Sequence, residues 1–218
     1  MTVLPKSWFA RIVGSTSILL SLALLAALAW TQATAPPQDA QHMLIEQPNV
    51  EGSFALEDTS GQRVSDRDFR GEYMLVYFGY SNCGDHCVSS LNMIDLAMSF
   101  LDGRAPEKAE RIQPIFITLD PERDDPETLD AFLDGFDPRI LGLRGDERET
   151  AEAAAAFDVY FARLDDTADA IVAGEGEYRL RFASFLYVIG PDGDYVGFIS
   201  PTDGPTKLAE RLLEMIEE

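Results

Sequence analysis

Two cysteines and a histidine fall within one short stretch, Ser81-Asn82-Cys83-Gly84-Asp85-His86-Cys87, and the chain has no other cysteine. Thiols four positions apart can do two kinds of chemistry. They can close a disulfide and exchange it with a partner, or as thiolates they can grip one soft metal ion. Both uses need a lowered thiol pKa. The stretch follows an apolar run and precedes a helical pattern, so Cys83 is expected before or at the first helical turn. There, unpaired backbone N–H groups and the helix dipole favour a thiolate. Both sulfurs are expected close together at the mouth of that helix and reachable from solvent. A structural zinc ion takes four protein ligands. The chain has only two cysteines and two histidines, one of them the distant His42, so a closed zinc site is not expected. Two thiolates suffice for Cu(I). A plain stabilising disulfide is the competing reading for an exported pair, but a loop this short gains little from closure.

The elements that must position these residues alternate strand and helix. Ser53 to Glu57 reads as a short strand, followed by the turn Thr59-Ser60-Gly61. Met74 to Tyr80 is a continuous apolar run, the pattern of a central strand covered on both faces. After Cys87, Leu91, Ile94, Met98 and Leu101 recur at spacings of three and four and form one helical stripe. Met93 and Met98 read as core residues rather than soft metal ligands. Pro114 to Leu119 is the next strand. Pro126 opens a helix with Leu129, Phe132, Leu133 and Phe136 on one face. Ile140 to Leu143 reads as a strand, Glu147 to Phe157 as an alanine-rich helix and Leu164 to Gly176 as an exposed acidic loop. Phe185 to Ile189 and Tyr195 to Ser200 form a hairpin through Pro191-Asp192-Gly193, and Leu208, Leu212, Leu213 and Ile216 mark a closing helix. The order predicts an α/β fold with a central mixed sheet flanked by helices, the thioredoxin-like arrangement.

The 218 residues carry 38 acidic against 17 basic side chains, a formal charge of −21. So negative a chain repels phosphate backbones, which excludes nucleic-acid binding, and it favours a basic partner patch or a cation. Residues 12–30 hold no charge and follow Lys6 and Arg11. At about 1.5 Å per residue they nearly span a bilayer core of about 30 Å, and the positive flank sends the rest of the chain outward. Residues 1–30 therefore read as a transmembrane anchor. A cleaved signal peptide competes, with Ala33-Thr34-Ala35 as its cleavage site and Pro36 against it. Residues 31–50 read as a polar tether, and 51–218 as the folded domain.

With these pieces in place, the chain resembles the SCO (SenC) family of thioredoxin-like copper proteins that assist cytochrome c oxidase assembly. The resemblance runs from about Gly52 to Ile216. It rests on Phe69-Arg70-Gly71, the strand Leu75 to Tyr80, the C-x-x-x-C pair, Asp120-Pro121-Glu122-Arg123-Asp124 about 33 residues beyond it, Phe185-Leu186-Tyr187 and Pro191-Asp192-Gly193. It implies copper bound by Cys83 and Cys87, with a histidine just before the late strand as a further ligand. Here that position falls in Arg181-Phe182-Ala183-Ser184 and is occupied by Phe182. The family's Cys-Pro-Asp-Val-Cys-Pro is here Cys-Gly-Asp-His-Cys-Val. Either His86 replaces the lost ligand, or the pair keeps its thiol chemistry and holds Cu(I) better than Cu(II). The resemblance further implies a single-pass inner-membrane protein with its domain in the periplasm or another extracytoplasmic space. Its implied partner is a cytochrome c oxidase subunit or another copper or thiol protein. A partner-specific thiol–disulfide reductase without copper delivery is the alternative. Asp120 ends a buried strand and is expected either to approach the cysteine loop or to cap its own turn.

Overall fold

The computed structural model describes residues 50–164, 178–183 and 185–216, all within one compact unit, Pro48–Glu218. The anchor expected at 1–30, the tether apart from its last residue, and the acidic loop beyond Leu164 lie outside the described residues. Among the described residues, no helix is long and apolar enough to cross a membrane.

The chain begins with an antiparallel pair, β1 (Ala55–Asp58) and β2 (Arg63–Ser65). The Asp58 side chain closes the turn between them by accepting the N–H of Ser60 and of Gln62, each at 2.9 Å. β2 has a single apolar residue, Val64, too little for a periodic signal, and was not expected. β3 (Tyr73–Gly79) is buried throughout. Its alternate residues face opposite ways: Tyr73, Leu75 and Tyr77 join one apolar cluster, and Met74, Val76 and Phe78 join the other. A strand covered on both faces shows no polar alternation, so its uninterrupted apolar run is explained.

α1 (Asp85–Arg104) buries the expected stripe of Leu91, Ile94, Met98 and Leu101, with Met93 also in the core. A short α2 (Pro106–Ala109) leads to β4 (Ile112–Thr118), parallel to β3 with Gly79 opposite Thr118. α3 (Pro126–Leu133) starts at Asp125, whose side chain accepts the Thr128 N–H at 2.8 Å. β5 (Leu141–Arg144) runs parallel to β4, and α4 (Glu147–Ala156) is closed by a capping box of Asp146 and Glu149. β6 (Phe161–Leu164) and β7 (Arg179–Phe182) form a separate two-stranded antiparallel ribbon. β8 (Leu186–Ile189) and β9 (Tyr195–Ile199) make the expected late hairpin, and α5 (Pro205–Met215) closes the fold.

The main sheet has the order β2-β1-β5-β4-β3-β8-β9 and is mixed, as predicted. α1, α3 and α5 contribute to the cluster on one face, and α4 to that on the other. Two of the segments that carried the family resemblance meet directly: the Gly71 N–H donates to the Pro191 carbonyl at 3.0 Å.

Candidate functional site

Strand β3 and helix α1 are joined by Tyr80 to Gly84, and the two cysteines bracket that junction. Cys83 lies just before Gly84, the residue that precedes α1, and Cys87 is the third residue of the helix. Their Cα atoms are 5.9 Å apart and their sulfurs form a disulfide. The Cys87 N–H, one of the free donors of the first turn, points to Cys83 Sγ at 3.0 Å. A helix N-terminus therefore faces the sulfur that would carry charge on reduction. The two sulfurs differ in access. Cys83 is half-buried, whereas Cys87 is completely enclosed, so the expectation that both can be reached from solvent is corrected. The helix geometry causes this. Position three of α1 lies on the stripe that packs against β3, while Cys83 lies ahead of it.

Two glycines make the junction possible. Gly84 has φ +68° and ψ −150°, a backbone region open essentially to glycine alone. Proline, which the resemblance would place at this position, is held near φ −65° and cannot adopt it. Gly79 faces the Cys87 sulfur. A Cβ there would lie 2.9 Å from Cys87 Sγ and 2.9 Å from Phe116 Cε2.

The DPERD segment supports the loop, though by a different carboxyl group from the one expected. Asp124 is fully buried and accepts hydrogen bonds from the Ser81 hydroxyl, from the Ser81 N–H at 3.0 Å and from the Thr118 hydroxyl at 2.5 Å. It ties the cysteine loop to the end of β4. Asp120, also buried, points instead to the ribbon, bound by Arg123 and by the Tyr178 hydroxyl at 2.5 Å. Its backbone carbonyl accepts the Asp124 N–H at 2.9 Å and so starts the expected turn, while its carboxylate goes to Arg123 and Tyr178. The Tyr178 ring is held between Arg123 and Arg163, whose guanidinium carbons lie 3.8 and 3.6 Å from its centroid. Burial, followed by the Asp120 carboxylate, raises the Tyr178 phenol above its usual pKa.

Phe182, on β7, stands where the resemblance places a histidine. Its ring contacts those of Tyr80 and His86 edge-on, with centroids 6.0 Å away in both cases. His86 is exposed on the first turn of α1. Phe182, His86 and Cys83 thus line one open cavity of about 290 Å³ with Tyr80, Arg179 and Arg181. Among the described residues, no three of His, Cys, Asp and Glu are grouped in position to hold a metal ion. Sequence reasoning missed Asp124, Tyr178 and the ribbon. The Arg-Leu-Arg-Phe alternation at 179–182 was the available sign of a strand.

A mixed sheet flanked by helices, with a cysteine pair at the β3–α1 junction, defines a thioredoxin-like dithiol protein. The SCO1/SenC family model matches residues 42–217, and the chain belongs to that family. Protein sco1 of Schizosaccharomyces pombe is 34% identical over 152 residues, covering 70% of this chain and 55% of the relative. The chain thus spans about half the length of the curated relatives it matches. Among solved structures, the copper-bound ScoI of Bradyrhizobium japonicum is 30% identical with a TM-score of 0.65, covering 77% of this chain and 99% of the other. The copper-bound Sco1 of yeast is also 30% identical, with a TM-score of 0.67, covering 77% of this chain and 88% of the other.

Proposed function

We propose that this protein is exported, held at the inner membrane by residues 1–30, and uses Cys83 and Cys87 in assembling the copper site of cytochrome c oxidase. It would do so by carrying copper, by exchanging disulfides, or by both. The observation that carries this reading is a disulfide at a helix mouth with one sulfur half-buried and one enclosed. Copper bound to two homologous structures supports the metal half. Reduction of the disulfide by two electrons and two protons yields two thiols near a helix N-terminus, and their thiolates suit Cu(I), which accepts two sulfur ligands. Cu(II) prefers nitrogen donors, and the phenyl ring of Phe182 offers none at the family's histidine position. His86 is the imidazole nearest the cysteine pair in the sequence, and its ring lies against Phe182. A reductase specific to one partner, without copper delivery, uses the same two sulfurs.

Anaerobic titration of the reduced full chain in detergent, with thiol counting, tests the proposal. The expected result is about one Cu(I) per chain, lost in both Cys83→Ala and Cys87→Ala, with Cu(II) held poorly. Phe182→His is expected to raise Cu(II) affinity. Tight Cu(II) binding by the wild type that His86→Ala leaves intact would overturn the ligand assignment. Disulfide exchange without Cu(I) binding would favour the reductase.

A further inference from the structure

The chain's charge of −21 predicts a surface that favours cationic partners, but the mouth of the cysteine site has the opposite sign. Among the described residues, those lining the cavity over Cys83 include Arg179, Arg181 and His86 and not one Asp or Glu. The neighbouring cavity, about 260 Å³ under the other side of the ribbon, is lined by Asp120, Glu122 and Glu147 around Arg163. The nearby arginines are already engaged: Arg123 with Asp120, and Arg163 with Glu122 at 3.6 Å. Arg179 and Arg181 are exposed, and neither side chain makes a hydrogen bond or ion pair with another described residue. Asp85 sits in the cysteine loop but does not line the cavity.

We propose that this rim selects a segment of a partner protein whose reacting cysteine is flanked by carboxylates. The inference rests on the thiol-exchange reading given above. Arg179 and Arg181 are two apart on β7, on one face of the strand and about 7 Å from each other along it. An extended segment has the same repeat, so carboxylates on either side of a cysteine can meet the two guanidiniums. The aromatic rings of Tyr80 and Phe182 form the floor beside Cys83.

The exchange balances as follows. The Cys83 thiolate attacks one sulfur of the partner disulfide, forming a mixed disulfide and expelling the other sulfur as a thiolate that takes a proton from water. Cys87, enclosed behind it, loses its proton and attacks Cys83 Sγ. The intramolecular disulfide closes, and the second partner sulfur leaves as a thiolate. The chain loses two electrons and the partner disulfide gains them.

The test uses the reduced full chain in detergent and three five-residue peptides, each a disulfide-linked dimer. The central cysteine is flanked by two aspartates, two serines or two lysines. At low salt the aspartate dimer should be reduced about tenfold faster than the serine dimer, the advantage shrinking at high salt. The double variant Arg179→Gln, Arg181→Gln should lose that advantage while reducing the serine dimer at the wild-type rate. Net charge alone predicts the reverse order, with the lysine dimer fastest, and that result would overturn the proposal. Equal rates, or a preference that survives in the double variant, would also overturn it while leaving the dithiol reading intact. Oxidised glutathione reduced faster than the aspartate dimer would replace the protein segment with a small anionic thiol. No exchange with any dimer would sink the dithiol reading and this inference with it.

Discussion

Gly79 shows how closely the cysteine site is built into the core. Its missing side chain leaves the space into which Cys87 Sγ and the Phe116 ring fit. Overfilling a packed interior costs about 1–3 kcal/mol, and here the crowded atom is one partner of the disulfide. Gly79→Ala is therefore expected to destabilise the oxidised chain by about that amount, as read by urea unfolding. A variant as stable as the wild type would show that the helix mouth can shift without penalty. Gly84 serves differently: nothing stands within 4 Å of a Cβ there, and only its backbone conformation requires glycine. This separates two roles that look alike in sequence. Gly79 precedes the pair and Gly84 lies within it; one makes room for a sulfur and the other turns the chain.

The β6–β7 ribbon is the element that completes the mouth, and bonds at Tyr178 and Leu180 tie it to the rest of the domain. The Leu180 N–H donates to the Tyr80 hydroxyl at 3.3 Å, Arg123 Nη1 donates to the Tyr178 carbonyl at 3.0 Å, and Tyr178 bonds Asp120. Removing the phenol leaves a buried carboxyl one partner short, which costs about 1–3 kcal/mol. Tyr178→Phe should raise amide hydrogen exchange across 179–182 while β3 stays protected. Unchanged exchange in the ribbon would mean that the two flanking arginines hold it alone. The strands of the main sheet other than β2 were legible to within a residue or two, most clearly β3 and β4, which bury long apolar runs. The ribbon was not, since β6 and β7 are four residues each and half-exposed, and their pairing joins Phe161 to Phe182 across an acidic segment. Its existence is a fact of contact, not of local pattern.

At the scale of the whole molecule, charge and packing oppose one another. A formal charge of −21 loads the folded state with self-repulsion that counterions relieve. The thermal midpoint should therefore rise as sodium chloride is increased from about 10 mM to about 500 mM, where screening falls to a few ångströms. A falling midpoint would mean that surface ion pairs such as Arg148–Glu152 and Lys207–Asp203 outweigh the repulsion. Helices cover both faces of the sheet, so β3 and β4 are enclosed, and the cysteine loop emerges at the end of β3, where the sheet stops covering it.

The sequence by itself determined the mixed sheet flanked by helices, the cysteine pair at a strand-to-helix junction and the aromatic ring at the histidine position. The first two follow from apolar periodicity and residue spacing, which are local properties that survive in one dimension, and the third from the family resemblance. Only the tertiary structure decided that Cys87 is enclosed while Cys83 is reachable, that Asp124 rather than Asp120 braces the loop, and that Arg179 and Arg181 border the mouth. Each of those depends on which residues distant in the chain come within a few ångströms of one another. No spacing along the chain encodes that distance.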